Sequence, residues 1–445
     1  MRNEHDHLGT LKLDDECRYG LQSARSKENF ALDYRKTNRH LIHAIVKVKK
    51  AVALTYRQLD IRPDIYDAIV VACDQVLEGG YDDDFVVDAL QGGAGTSTNM
   101  NVNEVLANRA LVNLGHNPGD YHLIHPLEDV NRGQSTNDVY PTALRIAAIE
   151  QLRELSAACE KLQSALQAKE MEFDKVAKLG RTELMDAIEI TLGQEFGAYA
   201  QAIARDRWRL YKVEERLRQI NLGGTAVGVG SNATRKYRFG VIEQLRSLTG
   251  LGLASSEYPL DITQNNDVFV EVSGLLKALA VNLMKIGNDL RLMNSGPHGG
   301  LGEITLPPMQ MGSTIMPGKV NPVIPEMVVQ VAMKVMANDS AIAMAAAHGE
   351  FELNAFLPLI ADSLLENLSI LTKAVGLFQT RCIEGIIPDQ DRCKQLLDQS
   401  YAFVYNHVAR LGYQAIAAMI DKAQGDPQRV KEYLEQMGKE PAGQK

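Results

Sequence analysis

Apolar residues recur at helical spacing through long stretches of the chain that contain almost no proline. No proline occurs between Pro141 and Pro259, and few interrupt residues 323–380. Proline removes a backbone donor and clashes with the preceding helical turn, so its absence favours long helices. The same stretches are rich in Ala, Leu, Glu, Lys and Met, which are good helix formers. The pattern predicts a mostly α-helical chain.

The clearest apolar stripe follows Asn266 and repeats at steps of four and three, which places its members on one helical face. Its members are Val268, Val272, Leu275, Leu279, Leu283, Ile286 and Leu290. Shorter stripes run through Val328, Val331 and Val335, and through Leu364, Leu368 and Leu371. Helices of this length bury their stripes against one another, so we expect a long central bundle.

Glycine-rich polar segments separate the predicted helices and suggest three domains. The breaks are residues 92–101, 133–138, 223–230 and 296–318. We expect an N-terminal domain over residues 1–137, a central helical-bundle domain over 138–378 and a small C-terminal domain over 379–445. The fold class is all-α, with an elongated central bundle flanked by the two smaller domains.

Length and charge narrow the possible functions. A chain of 445 residues is too long for one ordinary core. The formal net charge of -9 disfavours nucleic acid and anionic membrane as partners, although a local basic pocket can still bind an anionic substrate. No apolar run is long enough to span a membrane, and the charged N-terminus lacks the apolar core of a signal peptide. The 5 scattered cysteines indicate reduced thiols and a cytoplasmic protein.

Four polar clusters contain the candidate chemistry, and each lies at a predicted helix boundary. They are residues 92–101, 134–138, 180–186 and 312–322. Any one of them could be a structural cap or turn, because Ser, Thr and Asn side chains satisfy free backbone amides at helix starts. Taken together, they contain more hydroxyl and amide groups than capping needs.

The last cluster, Gly-Ser-Thr-Ile-Met-Pro-Gly-Lys-Val-Asn-Pro, is the most informative. It brings the hydroxyls of Ser313 and Thr314 close in sequence to the ammonium of Lys319 and the carboxamide of Asn321. Glycine allows unusual backbone geometry and proline stiffens the segment between the glycines. This combination suits a loop that closes over a small anion.

This segment resembles the signature loop GSS-x2-P-x-K-x-N of the fumarase/aspartase superfamily. The blocks GTSTNMN, QSTND, GRT and LGQEF occur in the same order as in that family. The resemblance extends from Glu4 to about Cys393, and residues 5–9, 46–51 and 302–308 are most similar to the aspartase branch. It implies a homotetramer with a twenty-helix core, active sites shared by three subunits, no organic cofactor and no catalytic metal.

The resemblance also implies a carbon–nitrogen lyase that removes a proton from one carbon and an amine from the next through a stabilised carbanion. Ser313 would be the catalytic base. Several donors would be needed for the charge that develops in the transition state. The implied substrate contacts are Lys319 and Asn321 to a carboxylate, Ser135, Thr136 and Thr314 to the developing anion, and Thr96, Asn137 and Thr182 to the α-substituents.

Glu183 departs from the aspartase pattern, in which histidine or glutamine follows the threonine. A glutamate there would repel a substrate carboxylate unless the side chain turns away or is protonated. The C-terminal tail also lacks the LNPxIGY block of the family, and Thr314 replaces the second loop serine. These departures suggest either L-aspartate as substrate or a partly cationic one such as ergothioneine, which an ergothionase converts to thiourocanate and trimethylamine.

Two other functions remain as alternatives. A fumarase-type hydratase fits the aspartase-like blocks less well. A non-catalytic, crystallin-like structural protein would not need Ser313, Lys319 and Asn321. His125 lies near the position of a second-site histidine in fumarases, but a structural role is favoured.

Overall fold

The computed structural model describes residues 1–439 and is mainly helical, with four two-stranded sheets. The predicted all-α class is confirmed, because the sheets are short ribbons that connect helices. The helices are α1 (Leu21–Asn29), α2 (Arg39–Gln58), α3 (Pro63–Glu78), α4 (Thr96–Asn113), α5 (Thr136–Glu172), α6 (Leu192–Leu217), α7 (Arg235–Thr249), α8 (Pro259–Gln264), α9 (Asp267–Met293), α10 (Val323–Ala347), α11 (Leu357–Arg381), α12 (Gln390–Asp398), α13 (Tyr405–Leu411), α14 (Tyr413–Lys422) and α15 (Pro427–Lys439). The strands are β1 (Arg2–Asp6), β2 (Gly9–Leu13), β3 (Ala177–Thr182), β4 (Met185–Thr191), β5 (Gln219–Ile220), β6 (Ala254–Ser255), β7 (Ile304–Thr305) and β8 (Ile387–Pro388).

The chain forms two compact units. Unit 1 contains residues 1–157, 206–280 and 331–372, and unit 2 contains residues 158–205, 281–330 and those from 373 onward. The long helices α5, α6, α9, α10 and α11 contribute residues to both units. The division into three domains stays a prediction.

The core of unit 1 is built around α2. One face of this helix is fully buried and packs against α3 and α7. Three tyrosines form a stack at this contact, with Tyr56 5.2 Å from Tyr66 and 5.0 Å from Tyr237 between ring centroids. Such aromatic pairs add about 0.5–1.5 kcal/mol each beyond the area that they bury.

The predicted stripe on α9 is buried over most of its length. Val272, Leu279, Leu283, Ile286 and Leu290 are buried, whereas Val268 and Leu275 are only half-buried. Phe269 and Leu276 take their places in the core. The buried residues then follow regular alternating steps of three and four along the helix, and Val268 and Leu275 each fall one residue outside that pattern. Leu364, Leu368 and Leu371 on α11 are all buried as predicted.

Unit 2 contains the β3–β4 hairpin, the short β7–β8 ribbon and the C-terminal helices α12 to α15. The C-terminal helices have a small core of their own, formed by Val404, Ile416, Ala423, Val430 and Leu434. The 3-10 turn at residues 402–404 packs against β4 of the hairpin. The last six residues of the predicted C-terminal domain lie outside the described part of the chain.

The hairpin corrects one sequence expectation. Residues 180–186 were expected at a helix boundary, but they form the end of a β-ribbon in which Thr182 pairs with Met185. The turn residues Glu183 and Leu184 have φ angles of 56° and 65°. Positive φ at both positions is the geometry of a type I′ turn, which is usually formed by Asn and Gly. Neither residue type is present here, so the sequence lacked the usual turn signal.

Within residues 1–439, no helix combines the length and apolar character needed to cross a membrane.

Candidate active site

The predicted site residues fall into two groups, one in each unit. Thr96, Ser135, Thr136 and Asn137 belong to unit 1. The members in unit 2 are Thr182, Glu183, Ser313, Thr314, Lys319 and Asn321. Each group is described by itself below.

In unit 1, the N-termini of α4 and α5 meet through a buried amide. Thr96 is the first residue of α4, is exposed, and its hydroxyl donates to the carbonyl of Gly93 at 2.8 Å. One turn further on, the Asn99 side chain donates to the hydroxyl of Thr136 at 3.1 Å. Gly95 makes this approach possible, because a Cβ there would lie 2.3 Å from the ring of Tyr140.

Three consecutive predicted site residues, Ser135, Thr136 and Asn137, lie at the start of α5. The Ser135 hydroxyl accepts the backbone N–H of Asn137 at 3.2 Å, and the Asn137 side chain donates to the carbonyl of Ala226 at 2.7 Å. Free backbone N–H groups and the helix dipole make a helix N-terminus favourable for negative charge. Ser135 and Asn137 are half-buried and Thr136 is buried.

Asp138 fastens this helix start to the loop at residues 221–230. Its carboxylate accepts the N–H of Ser135 at 3.0 Å, of Gly223 at 3.0 Å and of Thr225 at 2.9 Å. Burial raises the pKa of Asp138 to about 6, although these backbone donors oppose the shift. The helix start and the neighbouring loop are therefore held by one buried side chain.

A buried lysine lies behind Thr136, and sequence reasoning missed it. Lys49 donates to the side-chain oxygens of Asn131 and Gln134, both at 2.9 Å. The Asn131 oxygen also accepts from Asn99 at 3.1 Å, which links Lys49 to Thr136. Burial lowers the pKa of Lys49 to about 7, although the Asp138 carboxylate opposes the shift. The signal in the sequence was a lysine at a core position of the α2 apolar pattern.

In unit 2, the loop at residues 312–321 is closed at its base by backbone contacts. The N–H of Gly312 donates to the carbonyl of Lys319 at 2.9 Å, and the Asn321 side chain donates to the carbonyl of Gly312 at 2.9 Å. A Cβ on Gly312 would lie 2.6 Å from the Lys319 oxygen, so glycine is required. These contacts bring the two ends of the loop together, so that Lys319 and Asn321 lie beside the backbone of Gly312, which directly precedes Ser313.

Ser313 has a distinctive environment within this loop. Its half-buried hydroxyl oxygen accepts two backbone N–H groups, from Ile315 at 3.2 Å and from Met316 at 3.0 Å. Donors aimed at an oxygen favour its charged form, so the loop is arranged to stabilise negative charge on this atom. Neighbouring Ile315 and Met316 expose their side chains.

An open cleft of about 730 Å³ lies beside the loop. Lys319 and Asn321 line it, together with Arg291, Asn294 and Asp389. The cleft is large enough for a small polar molecule. Thr182 and Glu183 lie at the exposed end of the β3–β4 hairpin in the same unit.

His125 is structural in character. Its Nδ1 accepts the N–H of Leu127 at 3.1 Å and of Glu128 at 3.2 Å, which caps the π-helical turn Pro126–Val130. Among residues 1–439, no group of three or more His, Cys, Asp or Glu side chains is arranged to hold a metal ion.

The long helices, the hydroxyl and amide clusters at helix starts and the serine–lysine–asparagine loop agree with the elimination-type lyase that the sequence resemblance implies. A family model described as a lyase matches residues 9–337. Aspartate ammonia-lyase from Helicobacter pylori (strain J99) is 45% identical over 425 residues, covering 95% of this chain and 91% of that protein. The same enzyme from Bacillus subtilis is 43% identical, covering 95% and 89%.

Solved structures show the same similarity. A fumarate lyase:delta crystallin from Brucella melitensis, bound to cobalt, has a TM-score of 0.93 and 44% identity, covering 97% of this chain and 95% of that one. A class II fumarase from Schistosoma mansoni has a TM-score of 0.93 and 31% identity, covering 98% and 95%. The chain belongs to this lyase family, within the fumarase/aspartase superfamily. It is an enzyme, a carbon–nitrogen lyase.

Proposed function

We propose that the protein eliminates ammonia from L-aspartate to give fumarate. The observation that carries this proposal is the Ser313 hydroxyl, which accepts two backbone N–H groups inside the signature loop. The similarity to aspartate ammonia-lyases over 95% of the chain supports aspartate as the substrate.

In the proposed reaction, Ser313 acts as an alkoxide and takes a proton from the β-carbon. The electron pair moves onto the adjacent carboxylate, which becomes doubly charged until the C–N bond breaks and ammonia leaves. A serine hydroxyl is a weak base at neutral pH, so its charged form must be stabilised. The amides of Ile315 and Met316 are suited to this stabilisation.

The remaining predicted residues supply binding and charge stabilisation. Lys319 and Asn321 bind one substrate carboxylate, while Ser135, Thr136 and Thr314 donate to the developing anion. Removing one such donor typically costs about 2.7–4 kcal/mol of transition-state stabilisation. Thr96, Asn137 and Thr182 hold the α-substituents, including the nitrogen that leaves.

We further propose a homotetramer whose active sites draw residues from three subunits. Helix α10 supports this proposal, because one of its faces exposes Met333, Ala337 and Met344, with exposed fractions of 55% for Met333 and 61% for Met344. An exposed apolar face of this kind is typical of an interaction surface. A second copy of the chain would provide the missing cover.

Glu183 favours a second candidate substrate. Its carboxylate lies at the hairpin end, next to Thr182, and would attract a cationic or N–H-rich group. An imidazole betaine such as ergothioneine would fit this preference, with trimethylamine leaving in place of ammonia. The comparisons give this substrate no support, so L-aspartate is the leading candidate.

The deciding experiment offers L-aspartate and ergothioneine in parallel to the wild-type protein and to Ser313→Ala, with fumarate and thiourocanate followed by ultraviolet absorbance. We expect fumarate from the wild type and a loss of turnover of at least about 10²-fold in Ser313→Ala, with an unchanged circular dichroism spectrum. Ser164→Ala, an exposed serine on α5, is the matched control and should keep full activity. Unchanged turnover in Ser313→Ala would show that Ser313 is not the base. If the wild type formed thiourocanate and no fumarate, the substrate would be ergothioneine and not L-aspartate.

A further inference from the structure

A fully buried carboxylate, Glu303, lies beneath the hairpin that carries Thr182 and Glu183. Its exposed fraction is 0%. Arg181 donates to one carboxylate oxygen at 2.9 Å, and the ammonium of Lys178 lies 2.9 Å from the other. Lys178 also donates to Glu195 at 2.7 Å, so two acids and two cations form one compensated cluster. Buried charges require such compensation.

Both cations come from β3, although they are three residues apart. Residues three apart in a regular strand point to opposite faces. The register of the hairpin shifts between Leu179 and Arg181, and this shift interrupts the alternation. A Cβ on Gly180 would lie 2.9 Å from the carbonyl of Ile188, so glycine is required at the irregularity. Such irregularities re-aim side chains near functional sites.

Glu303 belongs to the segment of the chain that leads to the signature loop, and its backbone is held by hydrogen bonds. The N–H of Glu303 donates to the carbonyl of Met293 at 2.8 Å, and its own carbonyl accepts the N–H of Asp389 at 2.9 Å. The next two residues form β7, which pairs with β8. Glu303 is therefore fixed in place before the chain runs on to Gly312 and Ser313.

No step of the proposed reaction uses Glu303, and complete burial prevents it from touching substrate. Replacing a buried ion cluster with apolar residues of the same volume is often neutral or stabilising, so stability alone is a weak reason for this arrangement. A carboxylate that is itself fixed in place can, however, set the orientation of the planar guanidinium that binds it. Arg181 directly precedes Thr182 in the chain.

We propose that Glu303 is a positioning residue that, through Arg181, holds the hairpin end with Thr182 and Glu183 in the orientation that binds the α-substituents of the substrate. The proposal rests on the proposed function, because it acts on residues assigned to substrate binding there. It adds a specificity role for a buried ion pair that does not itself contact substrate.

The main test is a double-mutant cycle with Arg181→Gln and Thr182→Val, measured with L-aspartate. Arg181→Gln should lower kcat/KM about 10- to 100-fold, mostly through KM, because small misplacements of binding groups can cost about 10²-fold. When Thr182 is already valine, Arg181→Gln should lower kcat/KM little further, because the effects of two coupled residues on kcat/KM do not add. Full additivity of the two changes would overturn the proposal. Arg181→Lys should recover part of the loss.

The matched control is Arg109→Gln. Arg109 pairs with Asp84 at 2.9 Å and is 12% exposed, compared with 17% for Arg181. It should lower thermal stability without changing KM. A KM change in Arg109→Gln as large as that in Arg181→Gln would point to general destabilisation and overturn the proposal.

Hydrogen exchange separates this proposal from the proposed function. Amides at residues 182–190 should exchange faster in Arg181→Gln and in Glu303→Gln than in the wild type, while those of α3 stay unchanged. Unchanged hairpin exchange would overturn the positioning role whether or not the protein turns over aspartate. Faster hairpin exchange in the two variants, combined with a wild type that turns over neither substrate, would overturn the proposed function and leave the positioning contact standing.

Discussion

Glu183 is the proposed substrate contact whose charge would most directly affect the choice of substrate. At about 4 Å it would repel a substrate carboxylate by roughly 1–4 kcal/mol, depending on the local dielectric. Glu183→Gln should therefore lower KM for L-aspartate by about fivefold or more, with kcat little changed. Steady-state kinetics of Glu183→Gln and of the wild type, with L-aspartate and with ergothioneine, would measure this change.

Glu189→Gln on β4 of the same hairpin is the control for a general charge effect, because Glu189 is also exposed. An unchanged KM in Glu183→Gln would mean that this carboxylate turns away from the substrate. A fall in activity toward ergothioneine in the same variant would instead favour the betaine.

Lys49 should make the stability of the folded protein depend on pH. Its pKa falls from an ordinary 10.5 to about 7 because of burial. Between these values the unfolded chain binds a proton that the folded protein does not, so the free energy of unfolding rises with pH in this window. The slope is at most about 1.4 kcal/mol per pH unit for one proton.

Lys49→Met should remove this rise. Melting temperatures measured from pH 7 to 9 should increase more for the wild type than for the variant. Asp138 does not interfere, because burial raises its pKa only to about 6 and its effect on stability is complete below this range. Parallel curves for the two proteins would show that Lys49 keeps its proton in the fold.

At the scale of elements, the start of α5 depends on Asp138 more than on its hydroxyl neighbours. Asp138 accepts three backbone N–H groups, one from the half-buried Ser135 and two from the buried Gly223 and Thr225. Asp138→Ala should lower the free energy of unfolding by about 2–4 kcal/mol, since buried donors would lose their acceptor. Urea denaturation followed by circular dichroism would measure the change.

An exposed helix cap, Asp389, is the control for the loss of stability expected in Asp138→Ala. Asp389 caps α12 by accepting the N–H of Arg392 at 2.9 Å, and its replacement by alanine should cost only about 1 kcal/mol. Equal losses in the two variants would mean that water replaces the Asp138 carboxylate at the helix start.

The helices and the closed loop at residues 312–321 were predictable from the sequence because both depend on local spacing. Leu364, Leu368 and Leu371 follow one helical face, and the residues of the loop from Gly312 to Asn321 meet because its base closes within ten residues. The hairpin was missed because Glu183 and Leu184 adopt positive φ without the usual turn residues. Lys49 and Glu303 were missed because their partners are distant in the chain, and no spacing rule reports such contacts.

For the whole molecule, the family resemblance implies that residues of different subunits complete each active site. Two inactive variants with different defects should then restore each other, because a hybrid oligomer can combine an intact Ser313 from one chain with an intact Thr136 from another. Ser313→Ala and Thr136→Val are suitable parents, since each removes one proposed function with a small change in volume.

Co-expression with two affinity tags and tandem purification would isolate the hybrids. With random assembly, on the order of a quarter of the sites should contain both intact residues, because each is supplied intact by half of the subunits. A site built within one chain predicts no recovery, since every chain then carries one defect. Recovered turnover of L-aspartate would establish shared sites, and persistent inactivity in hybrids of confirmed composition would require each site to be completed by a single chain.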